Sequence, residues 1–163
     1  MAYGIGANDV ANAMGTSVGS KALTLTQALV LASIFTFLGA YFAGADVTTT
    51  IRENIVSPEL FGDDPSIFIL GMLSSLFAAG TWLLLATLFG WPVSTTHSII
   101  GAIAGFSIYY LGWSSIRWSY IGGITITWLI VPLVAAVLSG LIYFSAKKFI
   151  IKANNPIEAG RNY

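Results

Sequence analysis

Three runs of this chain carry no charged residue: Ala22 to Gly44, Ile67 to Gly90 and Tyr120 to Ala146. A helix needs about 20 consecutive, mostly apolar residues to cross the hydrocarbon of a bilayer, and each run meets that length. Only 9% of the 163 residues are charged, against roughly 25% in a soluble domain. Hydrophobic residues make up 56% and the mean hydropathy is +0.80, so there is too little charge to clothe a soluble globular surface. The expected class is an all-α integral membrane protein of the cell membrane. A nucleic-acid partner is excluded because the seven basic residues form no patch. With no cysteine and one histidine, disulfides, thiolate chemistry and a histidine-based zinc site are also excluded. No Ser–His–Asp order or paired carboxylates suggest an enzyme, and no cofactor is expected.

A fourth uncharged stretch, Val93 to Gly112, opens with the polar run Ser94-Thr95-Thr96-His97-Ser98. It fits a short full span or a re-entrant, discontinuous helix equally. If it crosses, Lys21, Lys147, Lys148, Lys152 and Arg161 share one side and Arg52 and Arg117 the other, five against two. The excess of Lys and Arg marks the cytoplasmic face. The segment Ala45 to Pro65, with Asp46, Glu53, Glu59, Asp63 and Asp64, is then an acidic outer loop. Residues 1–146 read as one transmembrane unit of about five membrane segments, the first truncated. Residues 147–163 read as a cytoplasmic linker or tail, and no internal repeat is visible. Gly15-x-x-x-Gly19 and Gly101-x-x-x-Gly105 are expected to let helices approach closely.

Chemistry concentrates in two places. At about 100° per residue, Asn8, Asn12, Thr16 and Gly19 line one stripe of the first segment, with Asp9 on its margin. A carboxylate and two amides on an apolar segment offer oxygen ligands to a hard cation, and an intramembrane ionisable group is a functional candidate. The same residues would also suit a wet interface. In Trp91-Pro92-Val93-Ser94-Thr95-Thr96-His97, Pro suits a helix's first turn and Ser or Thr its N-cap, so a helix is expected to start there. Its free N–H groups and hydroxyls could hold an oxyanion without a basic residue, as broken helices do in secondary transporters. An ordinary capped helix start at the membrane surface has the same residues. His97 is more readily a structural donor than a ligand.

Taken together, the two runs carry a resemblance. Gly6-Ala7-Asn8-Asp9-Val10-Ala11-Asn12-Ala13, followed by Gly15-Thr16-Ser17-Val18-Gly19-Ser20-Lys21-Ala22-Leu23-Thr24, closely resembles the signature of the inorganic phosphate transporter (PiT) family. Pro92-Val93-Ser94-Thr95-Thr96-His97, then Gly101-Ala102, is similar to that family's second marker, and the likeness runs from Met1 to the Pro156 tail. The resemblance implies one half of an inverted-repeat secondary transporter, with sites near midplane between the repeats. It implies inorganic phosphate carried with sodium or a proton. It places Asp9, Asn12, Ser94, Thr95 and Thr96 at the substrate, and Asn8, Asp9 and Asn12 at a sodium ion. Two departures stand out: family members have more residues before Gly4, and the second repeat is missing. The chain is then a fragment of a longer transporter or a half that pairs with an oppositely oriented copy. Competing readings are a sulfate or metal–phosphate permease, and a membrane scaffold that transports nothing.

Overall fold

The computed structural model describes the backbone of residues 1–62, 65–153, 155–156 and 160, and the side chains of these except 46, 47 and 50–54. Asp46, Arg52, Glu53, Asp63, Asp64 and Arg161, on which the charge argument draws, lie outside the described side chains. The described residues form helices and no strands. They divide into two compact units, Met1–Arg117 and Trp118–Tyr163.

The first unit contains α1 (Ala2–Gly19), α2 (Leu25–Asn54), α3 (Pro65–Leu88) and α4 (Thr95–Leu111). α1 ends in a Schellman arrangement: the Ala22 N–H donates to the Ser17 carbonyl at 3.0 Å and the Lys21 N–H to Val18 at 3.0 Å. Lys21 takes the left-handed backbone there, φ 62°, where glycine is usual. Thr24 then caps α2 through a reciprocal box with Gln27, whose Oε1 accepts from the Thr24 N–H at 2.9 Å. α2 does not stop where the apolar run stops. It continues to Asn54, so the expected loop from Ala45 is helical over its first half. Hydropathy marks where hydrocarbon ends, whereas a helix ends only where its backbone bonding does. After it, Ile55, Val56 and Phe61 are buried, and the Ile55 carbonyl accepts from the Arg117 N–H at 3.3 Å.

α3 and α4 form an antiparallel hairpin, as the Gly71–Phe106 and Ser75–Ala102 contacts show. The buried face of α3 is Gly71, Ser75, Ala79, Leu83 and Ala86, four apart over most of its length, with side chains small enough for α4 to lie close. The Phe106 ring occupies the space a side chain at Gly71 would need. The Ser75 hydroxyl donates to Gly71 O at 2.9 Å and also reaches Ala102 O at 3.3 Å. Phe61 stacks on Phe106 and Tyr110 to close that end, ring centroids 5.6 and 6.0 Å away. α4 has 17 residues, roughly 26 Å at 1.5 Å per residue, short of the ~30 Å hydrocarbon thickness. α1 runs parallel to the second half of α3, where a Cβ added at Gly4 would come within 2.9 Å of Leu83 Cβ. Among the described residues, a Cβ at Gly15, Gly19, Gly101 or Gly105, where close approaches were expected, meets nothing within 4 Å. Close packing is carried by Gly4 and Gly71 instead. A Gly-x-x-x-Gly spacing permits approach, but only a facing helix produces it.

The second unit is α5 (Trp118–Ala146) followed by a π-helical turn over Lys147–Ile151. The helical backbone therefore passes the expected start of the tail. α5 contains Pro132 and buries none of its residues. α2, α3 and α5 each carry a stretch long and apolar enough to span a membrane.

Candidate functional site

The two polar runs, some eighty residues apart in sequence, meet where α1 passes the link between α3 and α4. α3 closes with its own Schellman arrangement, the Trp91 N–H donating to Ala86 O at 2.8 Å with Gly90 left-handed at φ 68°. This reversal leaves the Trp91 carbonyl and the Val93 N–H facing α1, on either side of Pro92, which has no N–H of its own. Asn8 satisfies both. Its Nδ2 donates to Trp91 O at 3.0 Å, and its Oδ1 accepts from the Val93 N–H at 3.2 Å. The same Oδ1 accepts from Asn12 Nδ2 at 3.0 Å. Asn12 Nδ2 also lies 3.5 Å from Val93 O.

Asn8 is only 5% exposed, which makes these bonds matter, because an unpaired amide or peptide group costs about 1–3 kcal/mol when buried. Among the described residues every fully buried side-chain nitrogen and oxygen has a partner. An amide oxygen has two lone pairs, and both of those on Asn8 are engaged within the protein. Asn8, expected as a sodium ligand, has its side-chain oxygen in these two hydrogen bonds and holds the link in place. Gly4, one turn earlier, permits this by letting α1 lie against Leu83.

Asp9 follows Asn8 and so points about 100° around the helix. Its Oδ2 accepts from Thr95 Oγ1 at 2.9 Å, and both residues are half-buried. The contact sits in a cleft of about 610 Å³ lined by Asp9, Asn12, Ser94, Thr95 and Thr96 together with Pro92 and Val93. Every expected substrate residue is therefore brought to one place. Thr16 and His97, by contrast, do not line the cleft.

The helix start is as the sequence suggests, with one shift. Ser94 is the N-cap and accepts from the His97 N–H at 3.3 Å, while Pro92 lies two residues outside the helix instead of in its first turn. The Ser94 oxygen caps the helix while its hydroxyl proton remains free to donate. Thr95 and Thr96 are the first two helical residues, whose N–H groups have no acceptor within a helix. The positive end of the helix dipole adds to them. The cleft thus combines a cluster of donors with one carboxylate and the Asn12 amide oxygen, and among the described residues no Lys or Arg lines it. Such a set suits an oxyanion accompanied by its own cation.

The sequence could not have named Trp91 and Val93 as partners, because they contribute main-chain atoms. The one available signal was the four-residue spacing of Gly4, Asn8 and Asn12, which sets a gap, a latch and its support on one face.

The sequence profile of the Phosphate transporter family matches residues 5–163. A Haemophilus influenzae protein bearing the provisional name phosphate permease is 50% identical over 163 residues, all of this chain and 39% of that protein. The Arabidopsis thaliana inorganic phosphate transporter 2-1, chloroplastic, is 46% identical over 159 residues, 98% of this chain and 27% of that protein. A solved structure, that of a protein named the sodium-dependent phosphate transporter, superposes with a TM-score of 0.84 at 38% identity. The match covers 98% of this chain and 39% of that one. The chain thus spans about two fifths or less of the length of these relatives.

Proposed function

This chain belongs to the phosphate transporter family and is a multi-pass protein of the cell membrane, and on that premise we propose that it forms one repeat of a cation-coupled symporter for inorganic phosphate. A second repeat of opposite orientation completes the cleft. The observation that carries the reading is the Asp9–Thr95 contact, which joins the two polar runs at the head of α4 in a cleft that no basic residue lines among those described. A phosphate ion there is held by the hydroxyls of Ser94 and Thr96 and by the exposed N–H groups of Thr95 and Thr96. Its charge is balanced by a co-transported cation, for which Asp9 and the Asn12 carbonyl are the available oxygen ligands. The sodium dependence in the name of the solved relative supports sodium as that cation.

The same contact supports an order of events. Without a cation, the Thr95 proton is held by Asp9. Sodium beside the carboxylate takes up its charge and releases the hydroxyl to turn toward phosphate, so cation binding precedes and favours anion binding. Asp9 can in addition accept a hydrogen bond from a protonated phosphate oxygen. Sulfate carries no proton at neutral pH and meets only the carboxylate's repulsion. Asn8 acts at one remove, by fixing Trp91 and Val93 and hence the position of Ser94 and Thr95.

The test is uptake of labelled phosphate into vesicles containing the whole native transporter, with and without a sodium gradient. Sodium should lower the phosphate KM, and equimolar sulfate should compete weakly. Asp9→Asn should abolish the sodium effect. Uptake by that variant with unchanged sodium dependence rejects the role of Asp9, and stronger inhibition by sulfate than by phosphate rejects the cargo.

A further inference from the structure

We infer that the π-helical turn after α5 is a binding site for the headgroup of an anionic phospholipid, formed by Lys147, Lys148 and Lys152. Three observations lead there.

The first is depth. From Trp118 the helix runs 29 residues to Ala146, which at about 1.5 Å each places Lys147 roughly 44 Å away. A bilayer with its headgroups is about 40–45 Å thick. With Trp118 in one interface, where tryptophan is favoured, the lysines emerge among the headgroups of the opposite leaflet.

The second is angular arrangement. Were the α-helix to continue, its ~100° per residue would place Lys152 about 140° away from Lys147. The π turn instead closes an i to i+5 bond, the Lys152 N–H donating to Lys147 O at 3.1 Å. Lys152 therefore returns above Lys147, with Lys148 alongside. The widened turn brings the backbone of Lys152 back over that of Lys147, whereas an α-helical continuation would have carried it about 140° around the axis.

The third is the surrounding chemistry. No Asp or Glu occurs between Pro65 and Ile157, and the first acidic residue after the lysines in the sequence is Glu158. All three lysines are exposed. Lys147 Nζ lies 5.9 Å from the centre of the Tyr143 ring and Lys148 Nζ 5.3 Å from that of Phe149, contacts that hold an ammonium without neutralising it. Tyr143, Phe144 and Phe149 are more than half exposed and present an aromatic collar suited to the acyl–headgroup boundary. A phosphodiester with net negative charge, attached to acyl chains that lie along α5, matches both halves of this surface. Free phosphate matches only the lysines.

The test is native mass spectrometry of the whole native transporter containing this chain, with equimolar phosphatidylglycerol and phosphatidylcholine of identical acyl chains. Each lysine near an anionic surface contributes about fivefold, so phosphatidylglycerol adducts should predominate, up to roughly a hundredfold at low salt. The preference should shrink as salt shortens the screening length. Lys147→Gln, Lys148→Gln and Lys152→Gln together should bring the two lipids to parity, and the corresponding Arg substitutions should keep the preference. The paired exchange Ile150→Lys with Lys152→Ile conserves charge but moves it away from the position above Lys147, and should lose about fivefold. No preference in the natural transporter, or an undiminished one in the triple Gln variant, overturns the site. A full preference in the exchanged variant overturns the role of the π turn. Displacement of the lipid by equimolar inorganic phosphate would identify the free ion as the ligand and reject the lipid.

Discussion

α4 is gripped from two sides by opposite means. Against α3 it makes a dry, small-residue contact: Phe106 covers Gly71, and the side-chain bond from Ser75 that reaches across is a long one. Against α1 its leading end is fixed by polar bonds, from Asn8 to the main chain ahead of the helix and from Thr95 to Asp9. The first contact depends on shape summed over many atoms, so it tolerates the loss of any one polar group and resists added bulk. The second depends on a few groups with no substitute. A packed hairpin therefore forms the support, while the candidate site lies at the junction held by these few polar groups.

Asn8→Leu should sharpen this contrast most. It keeps the branched shape, though with bulkier methyl groups, and leaves Trp91 O and the Val93 N–H without their partner, each at about 1–3 kcal/mol. Phosphate uptake by the whole transporter should fall by about a hundredfold while the protein still inserts, as followed by membrane abundance. Uptake within a few-fold of normal would show that the link holds its position without α1. Gly71→Leu attacks the other side. Forcing Phe106 aside should cost about 1–3 kcal/mol and lower the melting temperature of the 163-residue chain by several degrees. An unchanged melting curve would mean that α3 and α4 do not pack as closely as described.

Thr95→Val tests the cleft with a smaller perturbation. Loss of one hydroxyl should raise the phosphate KM about tenfold and blunt the response to sodium, with Thr95→Ser retaining both. A KM change that leaves the sodium response intact would separate Thr95 from coupling. Gly101→Ala should have the smallest effect. Its Cβ meets open space, and alanine favours a helix by about 0.5–1 kcal/mol, so the melting temperature of this chain should hold or rise slightly. A clear drop would reveal a helix seated on that face.

Much of the fold was legible because hydrocarbon is an unforgiving solvent. The uncharged runs ending at Gly44, Gly90 and Ala146 mark α2, α3 and α5, and Ser94 announces the start of α4. Boundaries set by backbone bonding were not legible: α2 runs past Gly44 through threonines and charged residues, and α5 runs into a π turn. The site residues were legible as two unusual runs, yet their division of labour was not. Asn8 and Asp9 are neighbours in sequence and both strongly polar, and one helical step turns the first inward to hold the chain and the second outward to the cleft. Gly15 and Gly101 mislead for a related reason, since a glycine advertises room and says nothing of who occupies it.

What the amino-acid order determined alone is the solvent, the helical class and the inventory of ligating groups, because these depend on each residue's own transfer energy and chemistry. What only the tertiary structure decided is which groups face one another. The Asn8 latch closes on main-chain atoms of Trp91 and Val93, which any residue there would supply. The Asp9–Thr95 contact exists because Gly4 lets α1 approach α3, and because Gly90 reverses the chain just ahead of α4.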